Sequence, residues 1–186
     1  MSDLITDPDV RLLAAIASTL ECEYMDRGAA DPWLGSPFAW IRTRPSRQVG
    51  KIGEQLVAGW CAAKGLDVVS SDDSECDRVI AGRRVEIKFS TLWASGVYKF
   101  QQLRDQDYDF AICLGISPFD AHCWVIAKDT LREHVLGHTP QHRGRVGTDT
   151  FWLSLSPSAP PEWLRACGGS LAEAFMILKE WQVKRK

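Results

Sequence analysis

Residues 77–88 have the sequence DRVIAGRRVEIK, and the prediction of the fold starts from them. Two short runs in which apolar and polar residues alternate flank a glycine, which is the pattern of a β-hairpin. Glycine at the first of two turn residues favours a type II′ turn, so we place the turn at Gly82-Arg83 and the first pair at Ala81 and Arg84. The strands are then predicted over 77–80 and 84–89.

This register determines which side chains share a face of the hairpin. It pairs Val79 with Glu86 and Asp77 with Lys88. Directly paired residues point the same way, and so do residues two apart on one strand. Asp77, Glu86 and Lys88 are therefore predicted on one face, provided that the turn has an even number of residues.

Two carboxylates and an ammonium on one face favour a metal-dependent site. Asp77 and Glu86 would repel each other unless a cation lay between them. One or two carboxylates completed by water are how Mg²⁺ binds beside phosphate, where it activates water for attack on phosphorus. Lys88 would orient that water or stabilise the charge of the transition state. The alternative interpretation is a half-exposed surface strand, for which V-E-I-K is an ordinary pattern.

The elements around the hairpin predict an α/β fold. The apolar spacing of residues 46–64 is helical, Gly65 is placed to end that helix, and Glu54 lies off its apolar stripe. Further helices are predicted over 98–105, 129–135 and 170–181, and further strands over 66–69, 110–116, 123–127 and 151–155. This order of elements indicates a mixed central β-sheet flanked by helices.

Composition limits the class of protein and its partners. The chain has 186 residues, 45% of them hydrophobic and 25% charged, which suits one soluble domain. Its net charge of −2 excludes a global positive field, so any surface for nucleic acid must be local. The cysteines form no C-x-x-C pair, and the sequence shows neither a secretory signal nor a membrane-spanning stretch. We therefore expect a cytoplasmic protein with no membrane partner.

Basic residues nevertheless cluster at two places. The first cluster precedes the helix that carries Glu54, is placed to hold DNA phosphates and consists of Arg42, Arg44 and Arg47. The second lies in a glycine-containing loop, suits base edges or phosphates and consists of His138, His142, Arg143 and Arg145. Both clusters also fit an ordinary solvated surface.

The order of a helical Glu54, then Asp77, then Val85-Glu86-Ile87-Lys88 resembles the PD-(D/E)XK nuclease superfamily. The resemblance covers about residues 46–130 and implies a restriction-endonuclease-like core, a mixed four-stranded sheet flanked by helices. Cys76 occupies the position at which the family motif often has proline.

The resemblance implies roles for five residues. Asp77 and Glu86 match the metal ligands, and Ile87 matches the residue whose backbone carbonyl is a further ligand. Lys88 matches the catalytic lysine and Glu54 an auxiliary acid. The implied cofactor is Mg²⁺, with Mn²⁺ as a substitute.

Within the superfamily, residues 98–104, 107–111, 114–118 and 138–163 resemble small type II restriction endonucleases. The partner implied is double-stranded DNA. Its expected contacts are Lys99, Gln101, Gln102, Arg104, Arg44, Arg47, His138, His142, Arg143 and Arg145. A homodimer is expected, because a two-fold dimer matches a palindrome and cuts both strands.

Two alternatives stay open at this point. One is a repair or recombination nuclease, such as a junction resolvase, and the other is a non-catalytic DNA-binding module of the same fold. In each case the chain is predicted to be a single domain over 1–186. It would comprise an N-terminal helix and loop (1–45), the catalytic core (46–130) and a C-terminal loop, strand and helices (131–186).

Overall fold

The computed structural model describes residues 12–16, 31–72, 74–138 and 150–183. The chain divides into two compact units, residues 1–34 and 35–186. In the first, residues 12–16 form helix α1. The second contains all the strands that the structure describes. The single domain over 1–186 stays a prediction.

A six-stranded sheet forms the centre of the second unit, in the order β1-β2-β3-β5-β6-β8. Its strands are β1 Val68–Ser70, β2 Arg78–Ile80, β3 Arg83–Thr91, β5 Phe110–Ile116, β6 Ala121–Ala127 and β8 Gly168–Ser170. The central pair, β3 and β5, is parallel, and the other neighbours are antiparallel. Helices flank this mixed sheet, so the predicted α/β class is confirmed.

The flanking helices are α2 Ser46–Ala63, α3 Lys128–His134 and α4 Leu171–Val183, with short 3-10 helices at Ala39–Thr43 and Glu162–Cys167. Helix α2 packs on β3, and α4 packs on β6. Residues 46–64, 129–135 and 170–181 were all predicted as helical, and each helix lies within two residues of its predicted bounds. The apolar periodicity was a sufficient signal for these three elements.

The prediction of a helix over 98–105 was wrong, because Tyr98–Leu103 is strand β4. It pairs antiparallel with β7, Phe151–Leu155, and we call this two-stranded sheet the β4–β7 ribbon. Tyr98 and Phe100 are fully buried while Lys99 between them is only half-buried, which is the two-residue period of a strand. The buried side chains join the core beside Trp124 of β6, and this tertiary burial selects the strand.

The β2–β3 hairpin forms as predicted, but its register differs. The observed pairs are Ile80 with Arg83, Val79 with Arg84 and Arg78 with Val85. The turn is therefore Ala81-Gly82, with φ values of 50° and 73°, as a type I′ turn requires. Ala81 is held in this unusual conformation because its side chain is buried and its N–H donates to Asp67 O at 2.8 Å. The turn keeps two residues, so the predicted assignment of faces survives the shift.

Candidate active site at the hairpin and its groove

Asp77 lies directly before β2 and forms hydrogen bonds with Val85 and Ile87, the two neighbours of Glu86 on β3. Its N–H donates to Val85 O at 2.9 Å, and its carboxylate Oδ2 accepts the Ile87 N–H at 2.7 Å. The predicted pairing of Asp77 with Lys88 was wrong, because the turn begins one residue earlier than expected. The two hydrogen bonds hold the Asp77 carboxylate where it interacts with Glu86.

Glu86 is the buried member of the group, with 7% of its surface exposed. The Lys88 Nζ lies 2.5 Å from Glu86 Oε1. Burial raises the pKa of the Glu86 carboxyl; the Lys88 ammonium opposes that rise and the Asp77 carboxylate adds to it. Asp77, Glu86 and Lys88 therefore form one interacting cluster on the hairpin.

Glu54 projects from α2 into the same region but is occupied by two cations. Its Oε2 lies 2.6 Å from Lys51 Nζ and 3.7 Å from Arg78 Nη2. The preceding Gly53 permits the close approach of α2, because a Cβ at that position would lie 2.2 Å from the Cβ of Phe89 on β3. Its role as an auxiliary catalytic acid stays a prediction.

A groove of about 1120 Å³ is lined by Asp77 and Lys88 of the cluster. Its floor includes Asp77, Ile87, Lys88 and Ser90. Among the described residues, its cationic side chains are Arg42, Arg44, Arg47, Lys51, Lys88 and Lys99. Two acidic side chains of the described residues, Glu54 and Asp77, also line it, so this part of the groove is locally positive in a chain whose net charge is −2.

The β4 side of the groove carries Lys99, Gln101 and Gln102. The Lys99 Nζ lies 3.8 Å from the ring centroid of Trp93, a cation–π contact, and its backbone N–H donates to Ser90 Oγ at 3.0 Å. Trp93 is itself partly exposed at the groove. These contacts fix the lysine of β4 beside the end of β3.

The predicted DNA-contact residues separate into three groups. Arg44, Arg47, Lys99, Gln101 and Gln102 line the groove. Arg104 and His138 are described but are not among the residues that line it. His142, Arg143 and Arg145 lie outside the described residues. The groove thus brings together contacts from two separate parts of the sequence.

Arg78 was not predicted to act at the site, whereas Arg42 and the nearby Lys51 were expected there as contacts to DNA phosphates. Arg78 binds Glu54, and its Nη1 donates to Asp77 O at 2.6 Å. Arg42 and Lys51 line the groove beside Arg44 and Arg47. The position of Arg78 directly after Asp77 was the available signal that Arg78 lies at the site. Its ion-pair partner, Glu54, lies on α2 and could not be inferred from local spacing.

The donor atoms available for a metal ion come from few side chains. Within the described ranges, no three His, Cys, Asp or Glu side chains assemble into a group that could hold a metal. A cation at this site would therefore be held by the pair Asp77 and Glu86 with backbone or water oxygens. Separately, none of the described helices is both long and apolar enough to cross a membrane.

Comparisons with known proteins give structural similarity at a low level. No protein-family model matches the chain, and no curated protein matches it. A solved structure of a bacterial homing endonuclease is similar with a TM-score of 0.49 and 19% sequence identity, covering 76% of this chain and 98% of that chain. At this level of similarity neither the function nor the family of that enzyme transfers to this chain, and membership of the PD-(D/E)XK superfamily stays a prediction.

Proposed function

We propose that this protein is a metal-dependent endonuclease that hydrolyses the phosphodiester bonds of DNA. The observation that carries the proposal is that Asp77 and Lys88 line a groove together with five further cationic side chains, while the buried Glu86 holds the Lys88 ammonium. Acidic and basic groups in this arrangement can act on the reacting phosphate. The surrounding cations can bind the neighbouring phosphates of the same strand.

The residues fit a hard divalent cation such as Mg²⁺. Asp77 Oδ2 accepts the Ile87 N–H and Glu86 Oε1 binds Lys88, and the two carboxyl groups also contact each other, so a cation between them would relieve their repulsion. The N–H and C=O of one residue in an extended strand point to the same side, so the Ile87 carbonyl faces the same edge as Asp77. These are oxygen donors of the kind that Mg²⁺ prefers. When bound, the cation would activate water and neutralise charge on the phosphate.

The chain's own groups supply positioning and charge. Lys88 is held at the groove floor by Glu86, where its ammonium stabilises negative charge that develops on the phosphate oxygens. Asp77 is held by its two bonds to β3, so its carboxylate needs little reorganisation during the reaction. Arg78 and Lys51 neutralise Glu54, which limits the acidic charge that the incoming DNA meets.

The three arginines that line the groove near the start of α2 hold the DNA backbone. Arg42 and Arg44 lie on and just after the 3-10 helix Ala39–Thr43, and Arg47 lies in the first turn of α2. All three line the groove, and guanidinium groups bind phosphate through paired N–H donors. Such contacts fix the position of a duplex without reading its sequence.

We propose further that the enzyme is a type II restriction endonuclease that acts as a homodimer on duplex DNA. The groove combines backbone-binding cations with two glutamines that suit base edges, which favours a sequence-specific enzyme. One Asp77–Glu86–Lys88 cluster cuts one strand, so a second copy related by a two-fold axis would cut the other.

Cleavage of plasmid DNA tests the proposal. We expect the wild type to cut in Mg²⁺ and not in EDTA, and Lys88→Ala to cut about 10²- to 10³-fold more slowly, because one group that stabilises the transition state is lost. Lys179→Ala is the matched control on an exposed position of α4 and should cut like the wild type. Discrete fragments support restriction, and random nicking would support a repair nuclease. No cutting by a folded wild type with Mg²⁺ or Mn²⁺ would contradict the proposal.

A further inference from the structure

Strand β4 contains an irregularity at the point where it faces the groove. Phe100 pairs with Leu153 and Leu103 pairs with Phe151, so two residues of β4 stand against one residue of β7, Trp152. The extra residue makes this a β-bulge. The two residues concerned are Gln101 and Gln102.

The bulge determines where both glutamine side chains point. In a regular strand, adjacent side chains point to opposite faces, and one glutamine would enter the core. Here both line the groove, while Phe100 before them and Leu103 after them are fully buried. The extra residue therefore keeps the apolar side chains in the core and gives the groove two amides in succession.

The backbone of Gln102 is strained by this arrangement. Its φ is 58°, a left-handed conformation that glycine and asparagine adopt more readily than glutamine. A strained non-glycine residue costs about 1–3 kcal/mol and commonly marks a functional site. Glycine at this position would remove the strain, so the presence of a glutamine indicates that its side chain is used.

We propose that the bulge in β4 reads adenine–thymine base pairs in the major groove of the bound duplex, one through each of the side-chain amides of Gln101 and Gln102. A glutamine side chain can donate an N–H to adenine N7 while its carbonyl oxygen accepts from the adenine N6–H. Lys99, two residues before Gln101 and stacked on Trp93, supplies a nearby phosphate contact. This inference rests on the proposed function and specifies its substrate: a duplex site with A·T pairs next to the cleaved phosphate.

A binding selection tests this assignment. The probe is a pool of duplexes with a randomised central segment, bound by full-length Lys88→Ala protein in a step short enough that its slowed cleavage leaves the selected DNA intact. We expect A·T pairs to be enriched at a fixed position. Adding Gln101→Ala or Gln102→Ala should reduce that preference about 10- to 100-fold, because each paired contact discriminates by about 1–3 kcal/mol. Adding Gln55→Ala, on an exposed face of α2 away from the groove lining, should leave it unchanged.

A second variant guards against a simple folding defect. Gln102→Asn tolerates the left-handed conformation better but is one methylene shorter, so it should retain thermal stability and lose the preference. The inference is overturned if the selected sequences hold no fixed A·T pair. It is also overturned if the same A·T preference is selected when both glutamines are replaced by alanine.

Plasmid cleavage distinguishes this failure from failure of the proposed function. If Gln101→Ala/Gln102→Ala protein still cuts plasmid in Mg²⁺ and selects the wild-type site, only the base-reading assignment falls. If the wild type neither binds nor cuts duplex DNA, both fall together.

Discussion

The β2–β3 hairpin and the β4–β7 ribbon face the same groove but are held in different ways. Strand β3 has a neighbour on each side, and Val85, Glu86 and Ile87 are all buried there. The ribbon has only two strands, one of them bulged, and Gln102 is exposed. The difference shows how one site can hold its catalytic residues rigidly while the residues that determine base preference are free to vary. The groups proposed for catalysis lie in the centre of a sheet, and those proposed for base reading lie on a smaller sheet that tolerates irregularity.

The largest expected effect comes from the hairpin. Asp77→Asn removes a carboxylate charge while the side chain can still accept the Ile87 N–H, so the fold should remain and cleavage should fall by at least about 10³-fold in single-turnover assays. Asp129→Asn, at an exposed position of α3, is the matched control. Equal cleavage rates for the two variants would show that the hairpin is not the catalytic element.

The support beneath the hairpin can be tested through Gly53. Gly53→Ala places a methyl group 2.2 Å from Phe89 Cβ, so we expect the free energy of unfolding in urea to fall by about 3 kcal/mol, the upper range for overpacking. Gly59→Ala in the same helix has open space around the new Cβ and should raise it by about 0.5–1 kcal/mol. A stable Gly53→Ala protein would mean that α2 does not press on β3 as described.

A smaller effect is expected at Arg47, one of the arginines that line the groove shared by the hairpin and the ribbon. Arg47→Ala should weaken DNA binding by about tenfold for every sequence and reduce the slope of log affinity against log salt by about 1, because one phosphate contact is lost. Fluorescence anisotropy over a salt series measures both quantities. Arg83→Ala, at the exposed start of β3 outside the groove lining, should change neither. A loss confined to one sequence would instead make Arg47 a base-reading residue.

The smallest effect is expected at the bulge. Gln102→Gly relieves the positive φ, so we expect it to raise the free energy of unfolding by about 1 kcal/mol after the flexibility of glycine is allowed for. Gln101→Gly gains no such relief and should lower it by about 0.5–1 kcal/mol. Urea denaturation compares the two. If Gln102→Gly is the less stable variant, the strain assigned to the bulge is absent.

The sequence predicted the hairpin better than the ribbon for physical reasons. Alternation in V-E-I-K and an even-length turn were enough to group Asp77, Glu86 and Lys88, although the turn lies one residue earlier than expected. That shift depends on the burial of Ala81 and its bond to Asp67, both tertiary effects. The partners of Glu54 are similarly set by the packing of α2 on β3.

The ribbon could not be predicted because its partner strand is distant in the sequence. Tyr98 and Leu155 are paired although they lie 57 residues apart in the sequence, and no local pattern predicts that pairing. The segment YKFQQL is short enough to suit either a helix or a strand, and burial of Tyr98 and Phe100 against Trp124 decides between them. The bulge that brings both glutamines to the groove follows from that pairing alone.

Digestion of a defined linear duplex, with the fragment ends sequenced, tests the central claim most directly. Wild type and Lys88→Met, which keeps the aliphatic part of the side chain, should be compared in Mg²⁺ and in EDTA at equal folded fraction. We expect fixed ends from the wild type in Mg²⁺ only, and cutting by Lys88→Met in Mg²⁺ that is about 10²- to 10³-fold slower. Intact DNA from the wild type in Mg²⁺ and in Mn²⁺, or equal cutting by Lys88→Met, would contradict the assignment of Asp77, Glu86 and Lys88 as a nuclease site.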